Sequence, residues 1–421
     1  MKLYFAFSNI ILLNQANIQV NNSKEEGDLL VWSTSPIDCN IVNEIIEKEI
    51  FNNVWYLERP KIAIGSKLNR FKSERLKQQF YNRYLDKILV NKVYDEFIVA
   101  GFWNDSLHII EYLKKYNPNI KIGICEEGLL NYYCGYNHEN LYYMVQYGKK
   151  ERLKAWILGG KSFKDIQKRI VADYLIAPDF VHFDLNNEIF RIPSIGSNKI
   201  MQELTENIAK NYLENLYREY RERNIYYIAS QWSPSYDPVD ISPEILSFIE
   251  EVVPPEKLII KTHSNATNHR KTYAENVDKN VFVDRNVYLF EIMCSRLDLS
   301  DKVFIIRNSS IALYLTQLFE KEPVFIFTHR LFSRYHYGLD DCGDHYVKDL
   351  KRHVKNPERI FVPDSLSDFK RILTDMSNKY CGGIKKKELG EDNVEEMEIK
   401  STLLLMKQIL EQKYNVEDID D

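Results

Sequence analysis

The chain has no pair of closely spaced cysteines. Its six, Cys39, Cys125, Cys134, Cys294, Cys342 and Cys381, are scattered over 421 residues without a CxxC. That spacing argues against a zinc ligand set or a disulfide framework and suits a reducing compartment. Long hydrophobic runs are also missing. With no uninterrupted stretch of about 18 apolar residues, no membrane span is expected. The opening segment, Met1 to Phe7, is broken off by Ser8, Asn9 and Asn14, which is too polar for a signal peptide and reads as a first strand. Positive charge is not in excess: 56 Lys and Arg face 61 Asp and Glu, a net −5. This argues against a general polyanion-binding surface, and so against nucleic acid as a partner, while leaving room for a local basic pocket. Neither GxxxxGK[ST] nor a properly flanked GxGxxG occurs, which excludes a P-loop and a simple dinucleotide fold. A strand-end DxD triplet is absent too, since Asp340-Asp341 and the terminal Asp418-Ile419-Asp420-Asp421 lack that context. The expected chemistry therefore uses no metal and no cofactor. No short-period repeat or low-complexity tract is found.

What is present is an ordinary globular composition, 44% hydrophobic and 28% charged, in a chain long enough for two domains. Tyr (28) and Phe (21) are abundant, enough to line a broad sugar-binding cleft, although most such rings belong to cores. Short apolar runs alternate with helical patterns. Leu3–Phe7, Leu29–Trp32, Val54–Leu57, Phe97–Ala100, Ile120–Cys125 and Tyr174–Ala177 read as strands in the first half. Ile225–Ala229, Leu258–Lys261, Val281–Val283, Val303–Ile306, Val324–Phe327 and Ile360–Val362 repeat the theme in the second. Four to six continuous apolar residues suit strands buried on both faces of a parallel sheet. Helices are expected over Ser73–Leu89 and Asp105–Tyr116, the latter capped by Asp105 or Ser106. Met201, Leu204, Ile208, Tyr212 and Leu216 mark a helix linking the halves. Ile399, Leu403, Met406 and Leu410 mark a closing helix before an acidic tail. The expected architecture is α/β, with two Rossmann-like domains: residues 1–205, a helical linker 206–222, residues 223–380, then a terminal segment 381–421.

Loops at the carboxyl ends of parallel strands are where α/β proteins place their chemistry. Glu126-Glu127-Gly128 follows Ile122–Cys125. One carboxylate can take a proton from a hydroxyl, the other can cap the next helix, and Gly128 permits an unusual dihedral or a close approach. An acidic helix start is the plain alternative. Lys261-Thr262-His263-Ser264 follows Leu258–Ile260. Lys261 and His263 can both reach a phosphate, and His263 titrates near neutrality. Arg307-Asn308-Ser309-Ser310 follows Val303–Ile306 and opens a helical pattern, where paired hydroxyls and free N–H groups hold anions. Simple capping by Ser309 explains the same residues. Ser230-Gln231-Trp232-Ser233-Pro234, after Ile225–Ala229, is placed to meet a donor nucleotide.

An acid-acid-Gly loop, a strand-end Lys-x-His and a strand-end Ser-Ser, in that order, resemble the bacterial sialyltransferases and polysialyltransferases of GT-B fold. Those families carry an acid-acid-Gly motif, a His-Pro motif and a serine motif. Here His263 is followed by Ser264 in place of Pro. The resemblance spans roughly residues 1–375 in layout and rests on a handful of positions. It implies two Rossmann-like domains facing across a cleft, and inverting, metal-independent transfer of sialic acid from CMP-sialic acid to a hydroxyl of a cell-surface glycan. It further implies Glu126 as general base and His263 as the acid that assists the leaving phosphate. Ser309 and Ser310 become the phosphate cradle, with Lys261, Ser230 and Gln231 on the donor and Glu127, Gly128, Arg307 and Asn308 in support. The partners are then a nucleotide-sugar donor and a carbohydrate acceptor, in the cytoplasm or at the inner face of the membrane. Alternatives built from similar parts are a CDP-polyol phosphotransferase of teichoic-acid type, a GT-B-like nucleotide-sugar epimerase and a non-catalytic glycan-binding relative.

Overall fold

The structure is a computed structural model that describes residues 1–22, 25–33, 37–58, 67–89, 92–102, 104–133, 163–182, 185, 187–229, 242–262, 277–286, 288–307, 309–331 and 340–382. The chain divides into two units. The first comprises Met1–Ala209 with Gln317–Glu320; the second comprises Lys210–Thr316 and the described residues from Lys321.

The first unit contains strands β1 (Lys2–Ala6), β2 (Gly27–Ser33), β3 (Asn53–Glu58), β4 (Glu96–Val99), β5 (Lys121–Cys125), β6 (Ile170–Leu175) and β7 (Glu188–Arg191). Its helices are α1 (Asn9–Asn21), α2 (Cys39–Glu47), α3 (Lys67–Ile88), α4 (Asn104–Tyr116), α5 (Leu130–Tyr133) and α6 (Phe163–Arg169). The strands form one parallel sheet in the order β3-β2-β1-β4-β5-β6-β7. Helix α1 turns off β1 at Ser8, whose hydroxyl accepts the Ile11 N–H at 3.4 Å and so caps an otherwise orphan donor. Helix α4 starts at Asn104, so Asp105 and Ser106 lie within its first turn rather than ahead of it. Asp105 receives the Tyr81 hydroxyl at 2.9 Å, and the Ser106 hydroxyl donates to the Gly101 carbonyl at 2.8 Å.

Helix α7 (Lys199–Glu222) carries the chain from one unit into the other. Its Met201, Leu204, Ile208 and Tyr212 are buried at the three- and four-residue spacing that an apolar helix face requires.

The second unit contains β8 (Ile225–Ile228), α8 (Ser242–Val252), β9 (Leu258–Lys261), β10 (Phe282–Asp284), α9 (Phe290–Ser295) and β11 (Val303–Ile306). Then come α10 (Ile311–Leu313), a π-helical turn (Tyr314–Leu318), β12 (Val324–Phe327), α11 (Asp340–His353), β13 (Ile360–Phe361) and α12 (Leu366–Tyr380). The sheet is again parallel, in the order β10-β9-β8-β11-β12-β13. Both faces are covered, as fully apolar strands demand. Tyr227, Ile305 and Ile326 join Phe248 and Ile249 of α8 and Phe369 and Leu373 of α12 in one core. On the other face Tyr226 packs edge to face with Tyr220 and Phe304, and Phe304 lies tilted against Phe290 and Phe325.

Both sheets therefore have the doubly wound order. The chain runs outward in one direction, returns to the middle and runs outward in the other. The topological switch point falls between β1 and β4 in the first unit and between β8 and β11 in the second. These are the two Rossmann-like units that the expected GT-B fold class comprises. All twelve expected strands are present. Strand β7 was not expected, and β6 begins at Ile170 rather than Tyr174. The expected closing helix through Ile399 and Leu410 lies outside the described residues.

Candidate active site at the strand ends

In the first unit the acid pair stands where β5 ends, one strand beyond the switch point. Glu126 continues the ladder: its N–H donates to the Tyr174 carbonyl of β6 at 3.0 Å. Its side chain turns inward and is fully buried. One carboxylate oxygen, Oε2, accepts both the Tyr132 hydroxyl and the Ile176 N–H, the latter at 2.8 Å. The Tyr132 hydroxyl in turn accepts the Ala177 N–H at 3.2 Å. Glu127 differs in each respect. It is only partly buried, and its N–H donates to Asn131 Oδ1 at 3.1 Å. No described residue hydrogen-bonds or ion-pairs its carboxylate. Burial without a compensating donor pushes this carboxyl up to about 7. Gly128 adopts φ 145°, a region in which side chains with a Cβ are strained, so the glycine is required by the turn itself.

Glu126, the base that the acid-acid-Gly resemblance implies, is therefore fully buried, whereas Glu127 beside it is partly exposed. Among the described residues the Glu127 carboxylate does not cap α5. The loop is held instead by Asn131 on the Glu127 N–H and by the Asn131 N–H on the Gly128 carbonyl at 3.1 Å.

In the second unit Lys261 is the last residue of β9, paired in register with Asp284 at the end of β10. Its ammonium is buried. It donates to the Asn286 carbonyl at 2.7 Å and to the Thr262 carbonyl at 3.3 Å, stands 4.0 Å from Asp284 and lies over the Tyr288 ring. Asp284, 1% exposed, accepts the hydroxyls of Tyr220 and Tyr288 and both the backbone and side-chain N–H of Asn286. Among the described residues, the ammonium that the resemblance assigns to the donor phosphate meets this buried cluster. A fully packed lysine finds its acceptors where the fold provides them.

Arg307, buried, and the serine pair follow β11. Ser309 Oγ accepts the Ile311 N–H at 3.3 Å, a helix cap. Ser310 makes no side-chain cap bond. Both serines are partly exposed. The π-helical turn that follows is a feature often found beside functional sites. His263, Ser230, Gln231 and Asn308 lie outside the described residues.

The carboxyl edge of the second sheet carries a histidine that was not anticipated. His329 lies just beyond β12, 2% exposed, with Nε2 at 2.8 Å from Asp344 Oδ1. Arg330 grips both oxygens of the same carboxylate at 2.8 and 3.1 Å and also pairs with Asp364. The arginine and histidine hold the Asp344 carboxyl below the usual range despite its burial. Gly343 leaves the room: a Cβ there would come within 2.5 Å of the imidazole. The strand-end rule applied to Lys261 would have flagged His329. Asp344 is 15 residues further on, and its part is visible only in three dimensions.

Among the described residues no group of three or more metal-ligating side chains occurs. No helix among them is long and apolar enough to cross a membrane.

No protein-family model matches the chain, and no curated protein matches it. Solved structures do. The UDP-GlcNAc 2-epimerase of Neisseria meningitidis bound to UDP-GlcNAc is 11% identical, with 90% of this chain and 100% of that one covered and a TM-score of 0.46. The UDP-GlcNAc 2-epimerase of Methanocaldococcus jannaschii in complex with UDP-GlcNAc and UDP is 14% identical, covering 96% and 100%, TM-score 0.43. The calicheamicin glycosyltransferase CalG4 is 8% identical, covering 99% and 97%, TM-score 0.45.

Proposed function

We propose that the protein is a nucleotide-sugar-dependent glycosyltransferase in which Glu127 is the general base. One observation carries this reading. A carboxylate with no hydrogen-bonding partner among the described residues stands at the carboxyl edge of a doubly wound sheet, with its carboxyl pushed up to about 7 by burial. A base poised near neutrality is what deprotonating a sugar hydroxyl in cytoplasmic conditions calls for. The acceptor oxygen attacks the anomeric carbon as Glu127 takes its proton. The bond from that carbon to the donor phosphate breaks, and negative charge gathers on the departing nucleotide. Ser309 and Ser310, which follow β11, are the residues that the motif resemblance assigns to such a phosphate. The order of the acidic, Lys-x-His and Ser-Ser motifs supports CMP-sialic acid as donor and a glycan hydroxyl as acceptor.

The same carboxylate also suits a 2-epimerase, which removes a proton from the sugar carbon beside the anomeric centre, so the test separates the two. The protein is titrated with CMP, CDP-glycerol, UDP and GDP while its melting temperature is followed; a ligand of the folded state raises it by mass action. It is then incubated with CMP-sialic acid and an oligosaccharide, and separately with UDP-GlcNAc alone. Stabilisation by CMP and a new sialyl glycoside are expected. Stabilisation by UDP with an inverted free sugar nucleotide and no glycoside would overturn the transferase reading in favour of the epimerase.

A further inference from the structure

We propose that Glu126 is a positioning residue: together with Tyr132 it clasps the Ile176 and Ala177 backbone and so fixes the loop that presents Glu127. The proposal rests on Glu127 being the base.

The argument begins where β6 stops. The N–H groups of Ile176 and Ala177 have left the β6 ladder, and both residues are about 1% exposed. Two successive buried donors must find acceptors. They find them on one loop: Glu126 Oε2 takes Ile176 and the Tyr132 hydroxyl takes Ala177, while that hydroxyl donates back to Oε2. Phe180 packs edge to face on the Tyr132 ring at 6.1 Å, and the Tyr132 carbonyl accepts the His182 N–H at 3.4 Å. The segment after β5 is thereby tied to the segment after β6 by three hydrogen bonds and one ring contact. Between the ties, the Glu127 N–H is held by Asn131 and the Gly128 backbone by its own dihedral. Glu127 is held through its backbone N–H, and its carboxylate has no partner among the described residues.

The Ile176 N–H and the Tyr132 hydroxyl share one oxygen of Glu126, and this separates a positioning role from a chemical one. A glutamine has one carbonyl oxygen that can take both donors, so Glu126→Gln preserves the clasp and abolishes proton transfer at this position. Glu126→Ala removes the clasp. A displacement of the base by about 1 Å costs on the order of a hundredfold in rate.

The experiment has two arms. In the first, amide hydrogen exchange is measured at Ile176 and Ala177 in the parent, Glu126→Ala, Glu126→Gln and Tyr132→Phe proteins, with no substrate required. Protection is expected to fall in Glu126→Ala and Tyr132→Phe and to return in Glu126→Gln; unchanged protection in Glu126→Ala would overturn the clasp. In the second arm, transfer rate is followed against pH. Glu126→Ala should lose about tenfold to a hundredfold with the acidic limb of the profile still set by Glu127, and Glu126→Gln should recover to within about tenfold of the parent. A Glu126→Gln protein that keeps its protection yet has lost the acidic limb and all transfer would show that Glu126 is itself the base. If Glu127→Gln transfers normally, the base reading fails, and the exchange arm still decides the clasp.

Discussion

The two sheets have the same strand order, yet their carboxyl edges treat charge in opposite ways. After β9 and β10 of the second unit, Lys261 and Asp284 face each other, and every polar atom of the pair meets hydroxyls, carbonyls or N–H groups. After β5 of the first unit, one carboxylate of two has an oxygen that takes a hydroxyl and an N–H, and the other has no donor among the described residues. A satisfied buried charge adds rigidity and no reactivity. A half-buried carboxylate without partners has its proton affinity raised toward neutrality, which is an energetic cost to the fold and the condition for general-base work. Similarity of position in a fold does not make two charged residues similar in role; their partners do.

The sharpest way to test the contrast is to remove the unpartnered charge. Glu127→Gln should lower transfer by about two to four orders of magnitude while nucleotide affinity and fold are retained; steady-state kinetics with a CMP titration checks this, and transfer at the parent rate would erase the distinction. The partnered charge should behave in the reverse manner. Asp284→Ala strands a buried ammonium and two tyrosine hydroxyls and should destabilise the second unit by about 3–5 kcal/mol, read from urea unfolding. A smaller effect concerns pH. The folded protein holds the Glu127 proton up to about 7, against an ordinary carboxyl value of 4.5. The stability this contributes is complete below about 4.5 and is lost as pH rises through about 7. At about 1.4 kcal/mol per unit, the parent should lose up to roughly 3 kcal/mol across that window, and Glu127→Gln should flatten the loss. Denaturant unfolding at pH 5 and pH 8 compares the two. The smallest effects belong to the serines and the lysine. Ser309→Ala removes a cap and should cost about 1 kcal/mol, whereas Ser310→Ala should leave stability unchanged and weaken CMP. Lys261→Met should leave CMP affinity within about twofold, since its ammonium serves Asn286 and Thr262; isothermal titration settles each.

How far the fold was readable depends on local patterning. Strands such as Ile225–Ile228 and Val303–Ile306 are apolar throughout and buried throughout, so their sequence announced them. Strand β7, Glu-Ile-Phe-Arg, lies exposed at the sheet edge, and a half-polar tetrapeptide gives no such signal. The start of β6 was hidden by Asp173. This buried carboxylate interrupts the apolar run and is accommodated because Asn187 donates to it at 2.9 Å. Of the candidate site, the strand-end position of Glu126-Glu127-Gly128 was readable, including the need for glycine, because the apolar run Ile122–Cys125 and the acid pair adjoin in sequence.

The amino-acid sequence by itself determined two parallel α/β units and the placing of polar triplets at their strand ends, because burial on both faces of a sheet writes itself as short continuous apolar runs. Only the tertiary structure decided which of two adjacent glutamates is locked and which is available. Glu126 meets Ile176 50 residues away, and Lys261 finds its acceptor on Asn286 25 residues away. The pKa and reach of a side chain are set by the donors and the solvent around it, and those are assembled by the fold.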